Sequence, residues 1–506
     1  MQPGVVELTL IVLVVWVAVY LIIGFLGWKF TKLVSLEEFF VAGRTMSWVT
    51  LLLILLGATF SGFMFVGLPG LNYKIGMPIF QWIIGYTICV VTVMVVMGYP
   101  AILVGRKYGY VSCADLFMDR YESKFLGLVW SILWIIFSVP YMVGQVMAAG
   151  VMLEGVTGGV LPYISGIIFI FIVMVIYTFI GGMRGFGWVT AVQALLLCGI
   201  LLTILGLMNA VTPNGIVGAV QYHVEHNPKF LEMPGVIPYW TLPMALSWWM
   251  FGGLGHMTWP HIYPRLYAIR SARSWIYVTV VYSAICMFVM FLHIGLFGTF
   301  GRILIPGLKG KEVDLLVSLF LAKYTPTWFA ALGTAGALAA IMSTAAAILL
   351  SMSSIITKEI YQTWINPKAT QKQLVWVGRI GLWIWGIIGI VLGYLRPGLI
   401  AIIVAMSMAG LLMLMPPMVA AFWWRRANKY GAIAGPIAGE AVLVYQFARP
   451  ELSMISWFGF HPAFWGFVAC IIVWLIVTYL TPPPSPETQR KFHDYIEKRM
   501  FGKVIS

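Results

Sequence analysis

Two adjacent hydroxyl residues carry the most distinctive chemistry in this chain. They lie in Ala339-Ala340-Ile341-Met342-Ser343-Thr344, within an apolar run from about Trp328 to Ile356. A helix turns about 100° per residue, so Ser343 and Thr344 flank Ala340 one turn further along the same face. The Ala340 carbonyl accepts the intrahelical bond from Thr344 and keeps a second lone pair, while the alanine side chains let another group come close. Three hard oxygens, the donor type of a hard cation, then share one patch. The same residues also serve plain helix packing, with Ser and Thr bonding back to preceding carbonyls, and the hexapeptide alone leaves both uses open.

Two other stretches are built to interrupt a helix. One reads Gly57-Ala58-Thr59-Phe60-Ser61-Gly62 followed by Gly67-Leu68-Pro69-Gly70; the other reads Gly252-Gly253-Leu254-Gly255-His256 followed by Trp259-Pro260-His261. Glycine weakens a helix and proline removes a donor, so carbonyls and amides at these points are freed for a ligand. Each stretch lies in the first of five consecutive apolar spans, one run from about 46 to 210 and the other from about 238 to 423. That spacing predicts an inverted repeat around a site at the membrane midplane.

The elements that must position these residues are membrane helices. With 61% hydrophobic and 9% charged residues over 506 positions, the chain is excluded from the soluble classes. At roughly 20 apolar residues per crossing, spans fall near 5–27, 46–70, 77–104, 124–153, 161–181, 187–210, 238–260, 274–300, 327–357, 374–395, 399–423, 430–447 and 462–481, about thirteen in all. The first span is too long for a signal-peptide core and is expected to be retained. Alternate connections carry the basic residues, among them Lys29 and Lys32, Arg106 and Lys107, Arg184, Arg265 with Arg270 and Arg273, Arg425 and Arg426, and a tail that includes Lys491 and Lys503. This pattern predicts an outside N-terminus, a cytoplasmic tail on the inner surface, and Cys113 on the cytoplasmic side. The net charge of +14 reflects topology and contact with anionic membrane lipid, and requires no nucleic acid. No nucleotide loop, zinc cluster or nucleophilic triad is visible, so an enzyme is not expected, and no obligate protein partner is evident.

Thr59 through Gly70, Tyr177-Thr178-Phe179-Ile180-Gly181-Gly182-Met183, Gly253-Leu254-Gly255 with Pro260-His261 and Arg265, and Ala340 through Thr344 together resemble the sodium:solute symporter family. The resemblance covers nearly the whole chain, starting at Phe39-Phe40-Val41-Ala42-Gly43-Arg44. It implies an all-α polytopic protein with a LeuT-type core. Residues 1–45 would form an extra helix and connection, 46–211 the first repeat, 212–237 an outer loop, 238–423 the second repeat, 424–481 two further helices, and 482–506 a basic cytoplasmic tail. It further implies a sodium ion held by the carbonyls of Gly57, Phe60 and Ala340 and the hydroxyls of Ser343 and Thr344. A second cation is not expected, because Thr190, Ala346 and Ala347 stand where some members place a carboxylate and hydroxyls.

The expected activity is import, across the cell (inner) membrane, of a small organic anion such as a monocarboxylate or a pantothenate-like acid, coupled to one sodium ion. The carboxylate is expected to face freed amides near Thr59 and Ser61 at the positive end of a half-helix. Gln81, Gln145 and His256 would donate hydrogen bonds, and Tyr141 and Trp259 would cover the apolar part. Gln81 and Gln145 equally suit interhelical hydrogen bonding. Arg184 and Arg265 read as cytoplasmic topology and gating residues. A neutral solute, proton coupling, or a transporter-like sensor remain as alternatives.

Overall fold

A computed structural model describes residues 3–29, 35–449, 451 and 455–502; Lys32 and Lys503, part of the basic pattern, lie outside them. Among the described residues the ordered elements are all helices. Nine are long and apolar enough to cross a membrane, or ten if Trp48–Thr59 and Phe63–Ile75, bent by 46°, form one span. Length and apolarity alone therefore do not reach the expected thirteen, and the sequence explains the shortfall. The 49-residue helix Tyr163–Val211 contains two of the expected spans, broken at Gly182 where φ is 53° and ψ is −152°, a conformation essentially confined to glycine. The expected seventh span consists of short pieces: Leu242–Trp248, a π-helical turn over Trp249–Gly253, a 3-10 turn over Leu254–Thr258, and Ile262–Ala268. Lys429–Phe447 carries Pro436 and the buried Glu440, which lower its apolar character.

The helix containing Ser343 is the axis of the molecule. Within Thr327–Ile365, 94% of the apolar window is buried, against 22% for the peripheral helix Val5–Lys29. Small residues permit this enclosure: a Cβ on Gly336 would lie 2.5 Å from Ile200 Cδ1. Both broken spans lie near this axis, and each is interrupted at its glycine-rich stretch. The first begins at Ser47, whose Oγ accepts the Thr50 amide at 3.1 Å, and loses helical geometry at Phe60, with φ −78° and ψ 71°.

The basic tail is docked on the protein through Pro486–Gln489 and Tyr495–Phe501. Phe492 and Ile496 are fully buried, Lys491 pairs with Asp119 at 2.6 Å, and Arg425 pairs with Asp494 at 2.7 Å and Glu497 at 2.8 Å. Apolar anchors at Phe492 and Ile496 and complementary carboxylates give the segment expected at the inner membrane surface a seat on the protein as well. Cys113 is also buried, so its thiol is a poor reporter of orientation.

His493 adds a pH dependence to this docking. Arg120 Nη2 donates to His493 Nε2 at 3.0 Å, which requires an unprotonated nitrogen. Burial, with Arg120 and Arg425 nearby, pushes the imidazole down from 6.5 to about 3. A histidine kept neutral when docked supports docking fully above its free pKa, and that support declines as the pH falls toward the docked value. Amide exchange in residues 486–501, corrected for intrinsic rates, should therefore be slower at pH 7.5 than at pH 5, and His493→Gln should flatten the difference. Equal protection at both pH values would contradict a neutral His493.

Candidate functional site

Two sets of oxygens meet where the axial helix crosses the first break. Ser343 Oγ donates to the Gly57 carbonyl and lies 2.8 Å from the Ala340 carbonyl. Thr344 Oγ1 lies 3.0 Å from the Ala58 carbonyl, 3.3 Å from that of Gly57 and 3.4 Å from that of Ala340. Ser343, Thr344 and Ala340 are fully buried. Gly57 permits the approach, since a Cβ there would be 2.7 Å from Thr190 Cγ2 and 3.5 Å from Ser343 Cβ. Two hydroxyl protons serve three carbonyls that each carry two lone pairs, so the cluster has more acceptors than donors. Such a neutral oxygen set suits a weakly held monovalent hard cation better than a divalent one, which favours carboxylates. No group of three or more His, Cys, Asp or Glu suited to a metal occurs among the described residues.

Four of the five oxygens expected here are joined by hydrogen bonds or close contacts, and the Ala58 carbonyl joins them. The Phe60 amide bonds Leu56 O at 2.9 Å as the last helical turn closes, and no hydrogen bond joins Phe60 to Ser343 or Thr344. The direction of a carbonyl at a helix break depends on where helical geometry ends, and spacing alone does not place that point.

Beside this cluster, a cavity of about 40 Å³ lies between the two broken spans. Thr59, Tyr141, His256 and Trp259 line it, together with Ala58, Trp82, Tyr86, His261 and Arg265. Thr59 Oγ1 is 2.6 Å from Tyr282 Oη and donates to Leu55 O at 2.9 Å. His256 Nδ1 is 3.3 Å from Tyr86 Oη, and the Tyr141 and Trp259 rings are 4.5 Å apart.

Three other expected contacts are not part of the cavity lining. Gln145 Oε1 accepts the Gly62 amide at 2.7 Å, so this side chain satisfies a donor freed by the break. Ser61 faces inward, its amide on Thr59 O at 2.9 Å and its hydroxyl 3.4 Å from Tyr141 Oη. Gln81 begins the next helix, with its carbonyl accepting Trp249 Nε1 at 3.1 Å. The amides of Ser61 and Gly62 are thus already paired within the protein, which corrects the expected placement of a carboxylate there.

Arg265 departs furthest from expectation. Read as a topology residue, it is 1% exposed and lines the cavity, with its guanidinium 5.5 Å from the Phe186 ring. Arg270 and Arg273 are exposed, as topology residues should be. Apolar residues separate Arg265 from those two, and it follows the second break by one helical turn; that spacing was the available signal.

An axial helix whose hydroxyl pair meets one broken span, with a second broken span across a shared cavity, defines a multi-pass membrane carrier. The family model of the sodium:solute symporter family matches residues 39–439, and the chain belongs to that family, whose members are transporters rather than enzymes. It is 26% identical to the sodium/proline symporter of Haemophilus influenzae over 97% of this chain and 98% of the relative. It is 25% identical to the sodium/pantothenate symporter of Escherichia coli over 87% and 90% of the respective chains. Among solved structures, a Na+-coupled sialic acid symporter in a substrate-bound outward-open state superimposes with a TM-score of 0.76 at 19% identity, covering 94% of this chain and 98% of that one. A nucleobase-cation-symport-1 family transporter in a closed conformation gives 0.58 at 15% identity, over 90% and 97%. The architecture is the LeuT-type fold.

The assignment of Gln145 as a structural tie has a direct test. Gln145→Ala should leave the buried Gly62 amide without a partner and lower stability by about 1–3 kcal/mol. The melting temperature in detergent should fall, and a variant as stable as wild type would refute the tie.

Proposed function

We propose that the protein imports a small organic anion, a monocarboxylate or pantothenate-like acid, together with one sodium ion by alternating access. In this reading residues 46–211 and 238–423 act as inverted repeats, and the carrier resides in the cell (inner) membrane with its N-terminus outside. The observation that carries the proposal is a shared wall. Ala58 turns its carbonyl toward Thr344 while the residue itself lines the cavity, so an ion and a solute would meet on one strand of broken helix. Ligands that order the same segment bind cooperatively, which is what coupled transport requires.

Sodium would be held by the carbonyls of Gly57, Ala58 and Ala340 and the hydroxyls of Ser343 and Thr344, and it is carried as cargo. One ion is the favoured stoichiometry because Ala346 and Ala347 offer no side-chain oxygen. Proton coupling is less well supported, since Glu440 does not line the cavity. The sodium-coupled sialic acid and proline carriers among the relatives support the ion more than the solute.

Replacing both Ser343 and Thr344 by Ala should raise the sodium concentration for half-maximal uptake by about tenfold or more, equivalent to roughly 1.4 kcal/mol, while expression is maintained. Uptake into proteoliposomes reads this out. Unchanged sodium dependence, or uptake driven by a proton gradient without sodium, would refute the assignment. Orientation is tested at an exposed connection: Ser271→Cys should react with a membrane-impermeant thiol reagent in inside-out vesicles and remain unlabelled in intact cells.

A further inference from the structure

We propose that Arg265 is the anchor for the carboxylate of the transported solute. The inference rests on the reading of the cavity as the solute site and names the residue that makes that site select anions. It starts from an unusual deficit. Arg265 is 1% exposed, yet Nη1 and Nη2 have no hydrogen-bond partner. A guanidinium has five N–H donors and does not give up its charge, so burying it without acceptors is strongly unfavourable unless an anion completes the site.

A second buried arginine shows how this fold treats a structural guanidinium. Arg120 is fully buried and donates to Ala421 O at 2.8 Å, Trp424 O at 3.1 Å, Ala427 O at 3.3 Å and His493 Nε2 at 3.0 Å. Its three nitrogens all have partners. The terminal nitrogens of Arg265 have none, and they adjoin a cavity.

The protein supplies no counter-ion at that place. None of the residues lining the cavity is acidic. The buried acids are committed or remote. Glu359 accepts from Ser112 Oγ, Asp314 accepts the Ile400 amide at 3.2 Å, and Glu440 is buried in the Lys429–Phe447 helix, outside the cavity lining. Glu154, at the end of its helix, pairs with Arg396. The solute is therefore the natural source of the missing negative charge. A planar fork matches a carboxylate with two parallel hydrogen bonds, a geometry that neither an amide nor an alcohol reproduces. His261 Nδ1, buried and unpartnered beside the same cavity, provides a further polar contact for the solute.

This placement also gives coupling an electrostatic basis. With sodium at Ser343 and Thr344, one positive charge lies behind the cavity-lining Ala58, whose carbonyl Thr344 meets, and a second, Arg265, lies on the cavity wall. A carboxylate between them attracts both, and without it they repel. The anion should thus raise sodium affinity and sodium should raise anion affinity by the same factor.

The test uses the full chain, purified in detergent, and follows melting temperature against acetate, propionate, lactate, pyruvate and pantothenate. Each acid is compared with its amide, in sodium and in choline buffer. Wild type should be stabilised in sodium by at least one acid and not by its amide. Arg265→Gln should weaken that acid by about a hundredfold while sodium alone still stabilises the protein, and Arg265→Lys should weaken it less. If Arg265→Gln does not fold, a loss of about tenfold in Arg265→Lys supports the same conclusion. Unchanged affinity for the acid in Arg265→Gln, or in Arg265→Lys where only that variant folds, overturns the anchor and leaves sodium-coupled anion transport standing. Equal stabilisation by acid and amide, or none by any acid, overturns the anion class and the anchor with it. Failure of sodium to stabilise wild type counts instead against the symport reading.

Discussion

Backbone hydrogen bonding at membrane depth is the constraint on which the rest of this structure depends. A continuous helix satisfies its own amides and carbonyls, but a broken one exposes them where no bulk water can help. Here side chains from neighbouring helices take over. Ser343 and Thr344 reach the Gly57 and Ala58 carbonyls, and Gln145 takes the Gly62 amide. At the second break Trp134 Nε1 donates to Thr258 O at 2.9 Å, and Trp82 Nε1 to Trp248 O at 3.1 Å. Most of these partners are fully buried, so each break is a specific junction.

The two breaks differ in how completely they are satisfied, and function follows that difference. At the first, carbonyl lone pairs outnumber hydroxyl protons, leaving capacity for a cation. Near the second, the unmatched group is a guanidinium, leaving capacity for an anion. On the proposed reading, a cation at the first and an anion at the second would offset these imbalances, and coupling would need no long pathway, because Ala58 belongs to both regions.

Much of this was legible in the sequence, for physical reasons that also set the limits. Glycine and proline mark breaks directly, and Ser343-Thr344 stood out because hydroxyl pairs on a small-residue helix have few uses. Apolar length located the continuous spans and also the second broken one at 238–260, but not its division into short pieces, which depends on where helical geometry is lost. The burial of Arg265 was not legible because a lone arginine near a loop and one lining a cavity look alike until the neighbouring helices are placed. Gln145 was ambiguous for a related reason: its amide pairs with Gly62, a partner 83 positions away. The Ala58 carbonyl was not anticipated in the cluster because carbonyl direction depends on the angle of the bend.

The docked tail has a mechanical consequence. Tyr108, at the end of one span, donates to the Lys491 carbonyl at 2.9 Å, while Arg425, just beyond another, holds Asp494 and Glu497. Glu122, in the connection between helices, accepts from Ser485 and Thr488. The tail is therefore a strap fastened to the ends of two spans, at Tyr108 and Arg425, and to the turn that precedes the Lys124–Val156 helix. While the strap is fastened, those ends travel as one body. A rearrangement on this side must either swing that body as a unit or release the buckle at Lys491, Phe492 and Asp494, so the stiffness of this end of the molecule is set by residues outside the cavity lining.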